Sequence, residues 1–195
     1  MRPLAADEVR PPAVYEAVRA EALHGLLAER TPRSIAVGGL LAVLFENRVT
    51  VAGALEEQLR AAQIEDPGRI AAEVEVFNAL IPGERELTAT LLVDCDDPAE
   101  VGRRMRELPG LAAHVHLEID GSRAERVDTD ASPPESGDEP VALLRFRLTD
   151  EQCAALARGG EVAVLCADPG NRARTVLDDA RCAGRHQPPP SEAPR

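Results

Sequence analysis

The sequence predicts an α+β protein, a single domain in which helices cover one face of an antiparallel sheet. Three observations lead there. Helical periodicity is concentrated in the first half of the 195 residues, strand-like apolar runs dominate the second half, and turn residues join several of those runs as hairpins. The regular strand-helix alternation of a parallel doubly wound sheet is missing, so antiparallel pairing is expected.

The elements follow in order. Val14, Val18, Ala22 and Leu26 recur at helical spacing and predict a helix over residues 13–30, packed on the core by that face and ended at Thr31-Pro32. Ser34–Val37 and Leu40–Phe45 are apolar runs joined by Gly38-Gly39, which predicts a hairpin. Val51, Leu55, Leu59 and Ala62 then mark a helix capped by Asn47, and Asp66-Pro67 starts another that presents Ile70, Val74 and Phe77. These two helices are expected to pair antiparallel. Glu86–Val93 reads as a strand, and Asp97-Pro98 opens a helix to about Leu108, closed by Pro109-Gly110.

His114–Ile119 and Arg123–Val127, separated by Asp120-Gly121, read as a second hairpin. Residues 128–140 are acidic and rich in Ser and Pro, which predicts a mobile loop. Val141–Leu148 reads as a strand, Thr149 to Gln152 has capping-box spacing for a short helix ended by Gly159-Gly160, and strands over Val162–Cys166 and Arg172–Leu177 finish the domain, which is expected to occupy residues 1–182. The proline-rich tail 183–195 is expected to be disordered.

Composition excludes several functions. All 22 basic residues are arginine, so Schiff-base chemistry and the phosphate-loop lysine are ruled out. Net charge is -12, with three Phe, one Tyr and no Trp, which disfavours nucleic acid and anionic membrane surfaces as partners. The absence of a long apolar run, with an acidic start containing proline, predicts a cytoplasmic protein. Cys95, Cys153, Cys166 and Cys182 form no C-x-x-C pair and match no zinc or iron–sulfur spacing, so no cofactor and no bound metal are expected. Cys95 and Cys166 fall in predicted strands as small buried hydrophobes, and Cys182 is the candidate exposed thiol. The glycines match no nucleotide-binding pattern, and no serine has the context of a hydrolase nucleophile.

Polar residues at the edges of apolar segments supply the candidate site: Glu46, Asn47 and Arg48 after one strand, Asn78 at a helix end, Glu86 at a strand start and Arg145 within a strand. Two readings stand side by side. Glu46 or Glu86 pairs with Arg48 or Arg145 in a structural network that pins the hairpin to the helices. Alternatively, Glu46 and Glu86 share a metal or act as general acid and base while Arg48 holds an anionic ligand. His114 and His116, two apart on a strand, share a face suited to a divalent metal but need a third ligand that the sequence does not fix.

Several of these residues carry a family likeness. With Tyr15-Glu16 and Arg19 in the first helix, Gly38 in a turn, Phe45-Glu46-Asn47-Arg48, Asp66, Asn78-Ala79-Leu80-Ile81-Pro82, Glu86 to Leu91 and Arg145-Phe146, the chain resembles the bacterial domain-of-unknown-function family numbered 3501. It departs in the helix after Arg48, where the family tends to a glutamine-rich face and this chain has Val51 to Gln58 as VAGALEEQ. The resemblance brings no catalytic residues. It implies a setting, since members are often encoded near rubrerythrin-like and iron–sulfur oxidoreductase proteins. The expectation is therefore a non-catalytic accessory or binding protein with a redox or iron–sulfur protein partner. The alternative is a small-molecule- or metal-dependent enzyme or sensor built on Glu46, Arg48 and Glu86.

Overall fold

A computed structural model of the chain describes residues 1–39, 41–94, 103, 110–127 and 142–177. The strand β2, Leu41–Phe45, is buried at all five positions. An apolar run buried on both faces needs a layer on each side of its sheet, and that is how the strand sits. It pairs antiparallel with β1 (Ser34–Val37) and with β3 (Glu86–Val93). β3 pairs in turn with β7 (Ala142–Arg147), and β7 with β6 (Glu125–Val127), giving a five-stranded antiparallel sheet in the order β1-β2-β3-β7-β6. A second antiparallel sheet has the order β5-β4-β8-β9, built from β4 (Val115–Ile119), β5 (Ser122–Arg123), β8 (Val162–Cys166) and β9 (Ala173–Val176).

The side-chain alternation of strands sorts the layers. Leu41, Val43 and Phe45 of β2, Leu87, Ala89 and Leu91 of β3, and Leu144 and Phe146 of β7 share one core with Val115, Leu117 and Ile119 of β4 and Val162, Val164 and Cys166 of β8. This core lies between the sheets. The opposite face of the five-stranded sheet, represented by Leu143, joins a second core with α2 (Arg48–Ala61) and α3 (Pro67–Asn78), with Val51, Leu55, Leu59, Ile70, Val74 and Phe77 as its main apolar groups, while α1 (Pro12–Arg30) packs against α2. The α+β class, with antiparallel strands and helices on one face of a sheet, is therefore present. The strands divide between two sheets, a partition that hairpin signals do not encode.

Local chemistry explains the helix ends. Asn47 accepts from the amides of Val49 and Thr50, while the Thr50 hydroxyl accepts from the Asn47 amide, a reciprocal box that satisfies amides at the start of α2. Asp66 accepts from Arg69 N and Pro67 takes the first helical position of α3. Thr149 and Gln152 cap α4 (Asp150–Ala157) in the same reciprocal way. Helices α1 and α2 approach closely at Gly53, where an added Cβ would lie 2.7 Å from the Leu26 side chain.

Three expectations are corrected. Helix α1 does not face the core through Val14 and Val18, which are 53% and 38% exposed; its buried positions are Pro12, Tyr15 and Leu26. The stripe is rotated because Tyr15 and Arg19 hydrogen-bond to Glu57 of α2, which fixes the face that α1 turns inward. The expected second hairpin is also shorter than predicted. β4 pairs with β5 over Ile119↔Ser122 and Glu118↔Arg123, then the chain passes Ala124 and β6 crosses to the other sheet. Gly110 does not close helical structure, since residues 110–113 are helical and bury Leu111 and Ala112 in the inter-sheet core. That burial outweighs the poor helix propensity of glycine. The helix expected over 97–108 lies outside the described residues except for Arg103, and the loop 128–140 and tail 183–195 lie wholly outside them.

Candidate functional site

The helix-facing side of the five-stranded sheet carries a polar row. Alternation places Glu46 on β2's exit, Glu86, Thr88 and Thr90 on β3, and Arg145 on β7 on this face, opposite the inter-sheet core. Glu46 is buried. Its two carboxylate oxygens accept from different hydroxyls, Oε2 from Thr50 of α2 and Oε1 from Thr90 of β3, both at 2.5 Å. Burial pushes its carboxyl up from the usual range, against the two hydroxyl donors and the positive charges of Arg30 and Arg33, which pull it down.

Asn47 joins this group through its amide nitrogen, which donates to Glu29 Oε1 at 2.7 Å; the same oxygen accepts from Arg33 Nε at 2.8 Å. Arg33 is 4% exposed, and its Nη groups hydrogen-bond to no described residue. Arg30 Nε is desolvated and also lacks a hydrogen-bond partner among the described residues. A buried donor left in that state costs about 1–3 kcal/mol.

The other candidates belong elsewhere. Arg48 does not meet Glu46; it reaches Glu8 in the N-terminal segment at 2.7 Å. Asn78 grips the main chain of Leu4 in both directions, accepting from its amide at 2.7 Å and donating to its carbonyl at 3.0 Å. Glu86 pairs with Arg145 at 3.1 Å and accepts from Gly83 N, while Arg145 also donates to the Ala79 carbonyl. The six residues thus form four local groups. Each carboxylate that a general acid or base would need is already an acceptor within its own group.

His116 lies on β4 facing away from the inter-sheet core, half-buried, with its imidazole held below the ordinary range first by burial and then by Arg123, Arg126 and His114. His114 sits in the turn before β4 and is exposed. Among the described residues, no three of His, Cys, Asp and Glu converge as a metal site requires. Cys166 lies in the inter-sheet core, and Cys153 is partly buried, with its thiol pushed up first by burial. Cys95 and Cys182 lie outside the described residues. No helix among the described residues is long and apolar enough to cross a membrane.

Sequence reasoning missed Glu29, Arg30, Arg33, Thr50 and Thr90 as the surroundings of Glu46. Thr50 carried a usable signal, standing three residues after Asn47 as the partner in its capping box. Thr90 is 44 positions away and carried none.

No functionally curated protein matches the chain. Its fold is similar to that of a crystal structure of a novel protein of unknown function from Burkholderia pseudomallei, with a TM-score of 0.81, 25% identity, and coverage of 93% of this chain and 96% of that one. The pattern of one family, described as protein of unknown function (DUF3501), matches residues 3–184. A match over nearly the whole length makes this chain a member of the DUF3501 family.

Proposed function

We propose that the protein is a non-catalytic accessory protein that binds a redox or iron–sulfur protein partner through its outer helical face. The observation that carries this reading is that both carboxylates of the candidate site are already engaged inside the fold. Glu46 is held by Thr50 and Thr90, and Glu86 by Arg145 and Gly83, in separate groups. Carboxylates so engaged stabilise a fold and are poorly placed for proton transfer to a substrate. Val14 and Val18, one helical turn apart on α1, are meanwhile exposed to solvent and offer apolar contact area. The partner class comes from the family resemblance.

The test titrates purified protein with the rubrerythrin-like and iron–sulfur proteins of its own genome by calorimetry. Saturable binding is expected to one of them, weakened about tenfold or more by Val14→Asp combined with Val18→Asp, with thermal stability unchanged. Folded protein that binds none of them sinks the reading.

A second reading, a small-molecule sensor or enzyme using Glu46, is favoured by one observation: a buried carboxyl whose titration is pushed upward. A thermal-shift screen against divalent metals and small molecules, with a response lost in Glu46→Gln, distinguishes it from the first.

A further inference from the structure

Helix α1 turns Tyr15, Arg19 and Leu26 toward α2 and leaves its far side in solvent. Val14, Val18 and Leu27 stand on that side, 53%, 38% and 64% exposed, with Ala17, Ala20, Gly25 and Ala28 exposed between them. At about 3.6 residues per turn these positions cover one half of the helix circumference. Glu21 and His24, both exposed, are the ionisable residues at the middle of this face. Gly25 is the informative one, because glycine inside a helix lowers its stability relative to alanine. Gly53 of α2 has a reason within the chain, since an added Cβ would strike Leu26. Gly25 has no such reason: a Cβ added there would meet nothing within 4 Å. A bare backbone under open space, between exposed bulky side chains, suits the close approach of a second helix.

We propose that a second copy of this chain docks on this face, the two α1 helices packing antiparallel across a two-fold axis that passes between residues 22 and 23. In such an arrangement the same patch meets itself, so the face must be self-complementary, and it is so in size and in charge. Val18 lies over Gly25 and Ala28 of the second copy, and Leu27 lies over Ala17 and Ala20 of the second copy, bulky side chains over small ones. Glu21 and His24 of both copies gather at the axis, where each carboxylate finds an imidazole of the other copy. An unrelated protein has no cause to match this spacing, and a second copy matches it by symmetry.

The dimer is a reversible one. A contact through one helix of 19 residues falls short of the roughly 1,200 Å² that stable complexes bury, and the net charge of -12 on each copy opposes it. The inference rests on the reading of the outer α1 face as the contact surface and adds its regulation: Val14 and Val18 are covered in the dimer, so self-association and binding of the redox partner exclude one another.

The experiment is sedimentation velocity of the full chain alone, over about 5 to 500 µM, where a weak dimer forms and dissociates. A concentration-dependent shift from monomer to dimer is expected. Gly25→Leu fills the space for close approach and should weaken the dimer about tenfold or more. Glu21→Arg gathers like charges at the axis and should weaken it about tenfold, and adding His24→Glu to that variant should restore it by exchanging the two signs. All three positions are exposed, so the variants should melt as the wild type does. A folded wild type that stays monomeric throughout overturns the proposal and leaves the redox-partner reading to its own calorimetry. A dimer that Gly25→Leu leaves as tight, or that the charge exchange does not restore, forms through another face or register and overturns it as well.

Discussion

The Thr90 hydroxyl of β3 donates to Glu46 Oε1 at 2.5 Å, so a buried carboxyl at the end of one central strand is held by the strand beside it. Thr50 holds the other oxygen from α2, and the carboxyl thereby ties the sheet to the helical layer. Two consequences are measurable. Thr90→Val keeps the shape and removes one donor, which should lower stability by about 1–3 kcal/mol in urea denaturation. The second concerns pH. A folded-state pKa above the ordinary carboxylate value of 4.5 means that the folded protein keeps a proton the unfolded chain has released. This contribution is fully present below that value and is lost as pH rises through the raised pKa. Glu46→Gln should remove the loss, so its stability relative to wild type should improve as pH rises; a relative stability that stays constant or falls as pH rises would show that Glu46 is ionised in the fold.

Tyr15 makes the opposite kind of link. Its ring is buried between α1 and α2, its hydroxyl donates to Glu57 at 2.7 Å, and the Arg10 guanidinium lies 5.2 Å from the ring centroid. Burial, then the hydrogen bond to Glu57, push the phenol up to about 12. Burial alone would raise Glu57 too, but hydrogen bonds from Arg19, Tyr15 and Arg60 hold it below the usual range. Tyr15→Phe keeps the ring and the cation beside it, so its cost should be limited to about 1–2 kcal/mol. The stabilisation from a depressed carboxylate is present above the unfolded pKa and lost as pH falls. The variant, with one donor fewer on Glu57, should lose less stability on acidification than wild type, as followed by thermal melts across the acid range.

Asn78 fastens the N-terminal segment to the end of α3. Its side-chain amide both donates to and accepts from Leu4, and Leu4 and Val9 are buried with the apolar face of α2 and α3. Glu8 with Arg48, and Arg10 with Glu56, hold the same segment further along. Asn78→Ala should leave the two Leu4 main-chain groups without protein partners and cost about 1–3 kcal/mol. Hydrogen exchange is the sharper readout: the Leu4 amide should lose protection while Val51 and Leu55 of α2 keep theirs. Equal loss in both places would mean that the segment unfolds only with the whole domain.

What the sequence disclosed was local. Asn47 capping Thr50, Asp66 before Pro67, and Thr149 with Gln152 all lie within four residues of their partners, and each cap is where the spacing placed it. Long-range pairing was not legible. Nothing near Glu46 in the chain points to Thr90, and nothing near Asn78 points to Leu4, 74 positions away. The face of α1 was misread because valine periodicity through Val14 and Val18 competes with Tyr15 and Arg19, whose partner Glu57 is on another helix. Likewise, Ser122 to Val127 looks like one strand, and the switch of sheets at Ala124 becomes visible with the register of β6 against β7.

The turn between β1 and β2 provides a test of how the sheets are joined. Gly38 has φ +71, a conformation that side chains with a Cβ rarely adopt, and an added Cβ would run into Asn171 Oδ1. Asn171 belongs to the connection from β8 to β9 in the second sheet, and its amide donates to the Val37 carbonyl at 3.4 Å in the first. Gly38→Ala therefore meets two obstacles, backbone strain and a steric clash, and should destabilise the fold by about 1–3 kcal/mol. Asn171→Ala removes the clash but not the strain. In a double-mutant cycle the pair should be less destabilised than the sum of the single variants, by an amount that isolates the contact. Additive effects in urea denaturation would mean that strain at Gly38 accounts for the whole cost and that Asn171 moves aside freely.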